Sequence, residues 1–218
     1  MPVDPSAPIE VTAFAWVPDF ARGQVRDLRV RWALEEVGAS YRTRLLGSGR
    51  PADYYREQPW GQVPVYTEGK LQLFECGAIV LHIAEQNGTL LPHDPLGRSR
   101  AICWLFAALN SVDPQLGALT SAELFNADKD WSAGAAVTFR EDLAGRLERL
   151  SDWLGTSEWL EQSFTVGDLM MIATLRGIDP ALLRAQPNLA AYVARGEDRP
   201  AFQRALAAQL ADFVAEPV

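Results

Sequence analysis

Every stretch of this sequence that patterns as a β-strand lies before Leu90, and beyond Gly97 the recognisable patterns are helical, with no convincing strand. The break between them, Leu90–Gly97 (LLPHDPLG), carries two prolines and a glycine, which interrupt helix and strand alike. A chain divided in this way is expected to form an α/β region over residues 1–89, a linker over 90–97 and an all-α region over 98–218.

In the first half, Ile9–Ala15 (IEVTAFA) is rich in β-formers and predicts a strand. From Val25 to Val37 the apolar positions Val25, Leu28, Trp32, Leu34 and Val37 fit a helix, with Gly38 where a C-terminal glycine would end it. Tyr41–Leu46 predicts a second strand. Gly47–Trp60 is broken by Gly47, Gly49, Pro51 and Pro59, and so long an irregular stretch should carry function or hide a helix. Val63–Thr67 and Leu71–Phe74, joined through Glu68-Gly69-Lys70, read as a hairpin. Glu75–Asn87 is helical and Gly88 stops it, so the order is β-α-β-irregular-β-β-α. In the second half the stripes Ile102/Leu105/Phe106/Leu109, Phe139/Leu143/Leu147/Leu150/Leu154 and Phe202/Leu206/Leu210/Phe213 predict helices over about 98–112, from about 137, and over 200–213. Two more are expected over 165–176 and 188–195.

Composition narrows the chemistry. A net charge of −8 and a pI near 4.8 argue against nucleic acid or an anionic membrane as the main partner, since both need clustered cations. Arginines such as Arg26, Arg29 and Arg31 are expected on a solvated helix face. Two cysteines (Cys76, Cys103) and two histidines (His82, His93) supply neither a zinc cluster nor a disulfide framework, which fits a reducing compartment and no metal. The first residues, Met-Pro-Val-Asp-Pro, lack a cationic start and an apolar core, so no secretory signal is expected. No apolar run approaches the ~20 residues that span a bilayer. A soluble, cytoplasmic protein is the expectation.

Three stretches together resemble the cytosolic glutathione transferase superfamily: Arg29-Val-Arg-Trp-Ala-Leu-Glu-Glu-Val-Gly38, Gly61-Gln-Val-Pro64 continuing to Phe74-Glu75-Cys76-Gly77-Ala78-Ile79, and Phe164-Thr-Val-Gly-Asp168. Their order and spacing match that family from about Ile9 to Phe213. The resemblance implies a thioredoxin-like glutathione-binding domain followed by an all-helical domain contributing the electrophile pocket. It implies that Pro64 is cis and that Val63 turns its amide and carbonyl outward, where glutathione pairs as an added strand beside Gln62. It also implies that Glu75 and Cys76, at a helix start, meet the γ-glutamyl end, because free N–H groups and the dipole there attract a carboxylate. The family has mostly serine where this chain has Cys76, and a thiol is the weaker donor, which leaves a small buried hydrophobe as the alternative for that position. Thr165-Val-Gly-Asp168 is a capping box, structural rather than chemical.

The catalytic position departs from the family. Its members place Tyr, Ser or Cys after the first strand or at the first helix's start, whereas Trp16–Arg26 contains none of the three. Arg22 is the local candidate, since a fixed cation favours a thiolate, with a simply solvated side chain as the alternative. Trp16 and Phe20 are candidates to wall the electrophile pocket together with Trp104 of the second half, for which a core or dimer contact is the alternative. The expected function is a glutathione transferase acting on a small, apolar electrophile, in a homodimer packed through residues 75–87 and 98–112, with a role in detoxification. The rival is a glutathione-binding or interaction module without catalysis. A disulfide reductase is disfavoured because redox cysteines are absent from the first helix's start.

Overall fold

The computed structural model describes residues 3–47 and 49–214. The chain divides into two compact units, one ending at Leu91 and resuming at Glu197, the other running Pro92–Gly196.

The first unit holds a four-stranded sheet in the order β2-β1-β3-β4. Strand β1 (Ile9–Phe14) pairs parallel with β2 (Tyr41–Leu46), Ile9 opposite Tyr41 and Phe14 opposite Leu46. Helix α1 (Asp27–Val37) makes the crossover that a parallel pair requires. On its other edge β1 runs antiparallel to β3 (Val65–Glu68), which turns back into β4 (Leu71–Phe74). Central β1 is buried on both faces, with Val11, Thr12 and Ala13 all at or below 1% exposure. Helix α2 (Cys76–Asn87) follows, and α1 and α2 end in the left-handed glycines Gly38 and Gly88, as their sequences predict. The irregular stretch holds a short 3-10 helix at Ala52–Arg56.

Helix α1 corrects one expectation. Arg29 and Arg31 are buried, not solvated, as are all the residues from Asp27 to Glu35. Arg31 is tolerated at 0% exposure because its Nε donates to Asp27 at 2.7 Å and its Nη2 to Asp212 at 2.6 Å. The covering element is α9 (Pro200–Ala211), whose Phe202 meets Trp32 edge to face at 4.9 Å. Arg199 grips Glu36 with two hydrogen bonds and Arg204 donates to Glu35. Helix α9 was expected in the all-α region, but these contacts group it with the α/β unit. Its buried face also differs: Ala201, Phe202, Ala205 and Gln209 point inward, while Leu210 of the expected stripe is exposed.

The second unit is helical: α3 (Pro95–Ala107), α4 (Asp113–Thr120), α5 (Ser132–Leu154), α6 (Val166–Leu175), α7 (Pro180–Arg184) and α8 (Pro187–Glu197, its last residue grouped with the first unit). Two π-helical turns, Ala108–Val112 and Ser121–Phe125, flank α4. Helix α3 begins inside the expected linker, with Asp94 capping it by accepting from the Gly97 amide at 2.7 Å. The expected capping box starts α6, where Thr165 and Asp168 bond reciprocally. Buried Asp168 also accepts from the Leu160 amide and the Tyr192 hydroxyl, both at 2.9 Å, and burial pushes its carboxyl above the usual range despite those bonds. Gly167 lets α3 approach, since a Cβ there would stand 2.6 Å from the Cβ of Trp104. Among the described residues no helix is long and apolar enough to cross a membrane.

Candidate functional site

A small recess in the first unit is lined by Arg26, Gln58, Gln62, Val63, Pro64, Glu75 and Cys76. Its construction starts in the stretch before β3. Buried Gln58 accepts from the amides of Trp60 at 2.6 Å and Gln62 at 3.2 Å through one oxygen, which closes the 58–62 turn. Gly61 sits at φ +66°, a backbone angle that favours glycine, and a Cβ there would also displace the Tyr55 ring, which would lie 2.8 Å from it. The Val63–Pro64 peptide is cis, as expected. A hydrogen-bond chain frames this segment. The Val65 amide donates to Thr12 Oγ1 at 2.7 Å, that hydroxyl lies 3.0 Å from Tyr54 Oη, and Tyr54 donates to the Gln62 carbonyl at 2.6 Å. Burial raises the Tyr54 hydroxyl above its ordinary range, which keeps it protonated as a donor.

The recess is also lined by the start of α2. Glu75 occupies the N-cap at φ 68°, ψ 109°, an uncommon angle for a residue with a side chain, and makes no side-chain cap hydrogen bond. Glu75 is exposed while Cys76 beside it is 3% exposed. The guanidinium of Arg29 reaches back to the Cys76 sulfur at 3.8 Å. The first amides of a helix lack intrahelical partners and carry its positive end. Those amides, the cation Arg26 and the carboxylate Glu75 give the recess poles of both signs, which suits a zwitterionic group.

The five residues predicted to bind glutathione therefore converge. Arg22 does not line the recess: it pairs with Asp19 at 3.3 Å and lies 5.7 Å from the centre of the Phe213 ring. Trp16 is half-buried and Phe20 exposed, the latter on a 3-10 turn at Asp19–Ala21. Trp104 is half-buried on α3, its ring 5.4 Å from that of Trp153 within the helical unit. Sequence reasoning missed Arg26 and Gln58. The position of Arg26 directly before α1 was the available signal, but its neighbours Arg29 and Arg31 made it look like one charge of a run. Gln58 lay in the irregular stretch and offered no pattern.

Comparison with known proteins bears on the same region. The family model described as the glutathione S-transferase N-terminal domain matches residues 20–85. Glutathione S-transferase F14 of Arabidopsis thaliana is 33% identical over 158 residues, 66% of this chain and 62% of that protein. The disulfide-bond oxidoreductase YfcG of Escherichia coli K12 is 30% identical over 199 residues, 82% of this chain and 89% of that protein. In fold, a Pseudomonas putida glutathione transferase crystallised with one glutathione disulfide per subunit superposes with a TM-score of 0.79 at 18% identity, covering 91% of this chain and 90% of that one.

Proposed function

The chain belongs to the glutathione S-transferase superfamily, and from that premise we propose that it is a glutathione transferase acting on a small, apolar electrophile. The observation that carries the proposal is the recess itself, where the Gln62-Val63-Pro64 segment faces the strained Glu75 at the start of α2. Glutathione is an extended peptide, and Val63 offers it backbone pairing as a neighbouring strand would. Its γ-glutamyl end carries a carboxylate and an ammonium. The α2 amides take the first and Glu75 the second.

An unassisted thiol of pKa ~8.5 is only a few per cent ionised at neutral pH, so catalysis needs a group that favours the thiolate. In this chain three sources are at hand: the guanidiniums of Arg26 and Arg22, and the amides and dipole at the start of α1. The thiolate then attacks the electrophile's carbon and the leaving group departs with its electron pair. Trp16 and Phe20 meet the apolar part of that compound. The same reading carries a cytoplasmic homodimer with a part in detoxification.

Calorimetry with glutathione, followed by turnover with a chromogenic aryl halide, tests the proposal. Binding without turnover over a panel of halides and peroxides would leave a binding module and end the transferase reading. Arg26→Ala and Arg22→Ala separate the two cations, because loss of the one that acts will raise the pH at which the rate develops.

A second reading is favoured by the name of the relative from Escherichia coli, a disulfide-bond oxidoreductase. Here glutathione itself supplies the thiol that a redox cysteine would. One glutathione thiolate attacks a substrate disulfide and releases one thiol, and a second glutathione resolves the mixed disulfide as glutathione disulfide. Turnover with a small disulfide but with no aryl halide would select this reaction.

A further inference from the structure

The loop from Ala15 to Arg26, which leads into the recess, is held by the far end of the chain. The buried Gln209 amide donates to the Val25 carbonyl at 3.1 Å and to Asp27 Oδ1 at 2.8 Å. These bonds straddle Arg26, the lining residue directly before α1. Three further contacts follow in order along the tail. Asp212 pairs with Arg31 at 2.6 Å, the Phe213 ring lies under the Arg22 guanidinium, and the Val214 amide donates to the Ala15 carbonyl at 2.9 Å. Residues 209–214 thus bind the loop at its start, its middle and its end.

Stability alone does not account for these residues. Gln209 is 1% exposed, and among the described residues its Oε1 has no hydrogen-bond partner. A buried polar group left half-satisfied costs free energy, and apolar residues of similar volume commonly replace such clusters without loss. What an apolar residue cannot do is fix the position of a particular carbonyl and carboxylate. The Gln209 amide has one orientation only, because turning it over would set its oxygen against two acceptors.

We propose that Gln209 and the tail through Val214 form a strap that positions the thiol-activating start of α1, with Gln209 as a positioning residue for the transferase reaction. This rests on the glutathione reading for its chemistry, but the strap itself can be tested without glutathione. Gln209→Met keeps the length of the side chain and removes the donor. In the free protein, amide exchange at Gln24, Leu28 and Arg29 is expected to quicken by about tenfold or more, while β3 and β4 keep their protection.

With glutathione and an aryl halide, the pH–rate profile should move to higher pH and kcat at neutral pH fall about tenfold, within what a small misplacement costs. KM for glutathione should stay within about twofold, since the Val63 and Glu75 side is untouched. Phe213→Ala loosens the half-buried tail outside the core and should give a smaller shift the same way, which keeps the test open if Gln209→Met fails to fold. Unchanged exchange in the loop of both variants would overturn the strap. A loosened loop with an unmoved pH profile would overturn its positioning role. A wild-type protein that neither binds nor turns over glutathione would overturn the functional reading and this role with it, and exchange would then decide the strap alone.

Discussion

The two sides of the recess are supported from opposite ends of the chain. Residues 58–64 are fixed by partners within the first unit's opening stretch: Gln58 closes the turn, and Thr12 and Tyr54 tie its end to β1 and β3. The loop ahead of α1 leans on α9 and the tail, Val25 and Gln209 being 184 positions apart. The first side carries a motif because most of the residues that shape it lie within one stretch, Tyr54 to Val65, with Thr12 the distant exception. The second carries none, since its geometry is set by a distant helix and no local residue need be of a given type.

Breaking the distant support should cost most. Arg31→Leu leaves Asp27 buried without its counter-ion, and a loss of about 3–5 kcal/mol is expected in urea denaturation. A loss below about 1 kcal/mol would mean that the remote side is no more dependent on its partners than an ordinary surface ion pair.

The motif side answers next, and in binding. Glu75→Ala should weaken glutathione by about 1–3 kcal/mol with the fold intact. Glu75→Gly sharpens the point: relieving φ 68° should raise stability by about 1 kcal/mol while affinity still falls. Wild-type affinity by calorimetry in either folded variant would remove Glu75 from the site.

Tyr54→Phe should cost about 1–2 kcal/mol, because the Gln62 carbonyl and Thr12 hydroxyl lose a buried partner. The same chain predicts a pH limit. Burial raises the folded-state pKa of Tyr54 above its unfolded value near 10, so the tyrosine's contribution is whole below about pH 10 and is lost as pH climbs through the folded value. Thermal melts at pH 7, 9 and 11 would show it, and a stability that falls already between pH 7 and 9 would contradict it.

The smallest effect is at Cys76. Serine there should strengthen glutathione binding by about 0.5 kcal/mol at most, as the better hydrogen-bonding group. Loss of all activity in folded Cys76→Ser would instead make that thiol a reactive centre.

The same contrast explains how much was legible beforehand. Strand Tyr41–Leu46, the helix-ending glycines and the capping box at Thr165 were all readable, because each depends on neighbours a few residues away, whereas the cis Pro64 was expected from the family resemblance alone. Helix α4 and its flanking π-helical turns were missed, since the expected helix simply ran on to Val112. Helix α9 was found, but not its allegiance. An apolar stripe announces that a helix is buried without saying against what, and the inward Gln209 is invisible to a search for apolar residues. Arg31 was misread for the matching reason: a charge looks solvated until its two carboxylate partners are known.

The grouping of α9 with the α/β unit has a consequence for the order in which the molecule is made. Residues 92–196, which form the other unit, stand between α2 and the helix that covers α1. At translation rates of about 5–20 residues per second, that interval lasts roughly 5–20 s. For its duration α1 lacks the cover of Phe202, and Arg31 lacks Asp212. The helical unit, by contrast, has every one of its residues before α9 leaves the ribosome. The unit that is begun first is therefore the one completed last, and its unfinished apolar face is what a nascent-chain chaperone would meet.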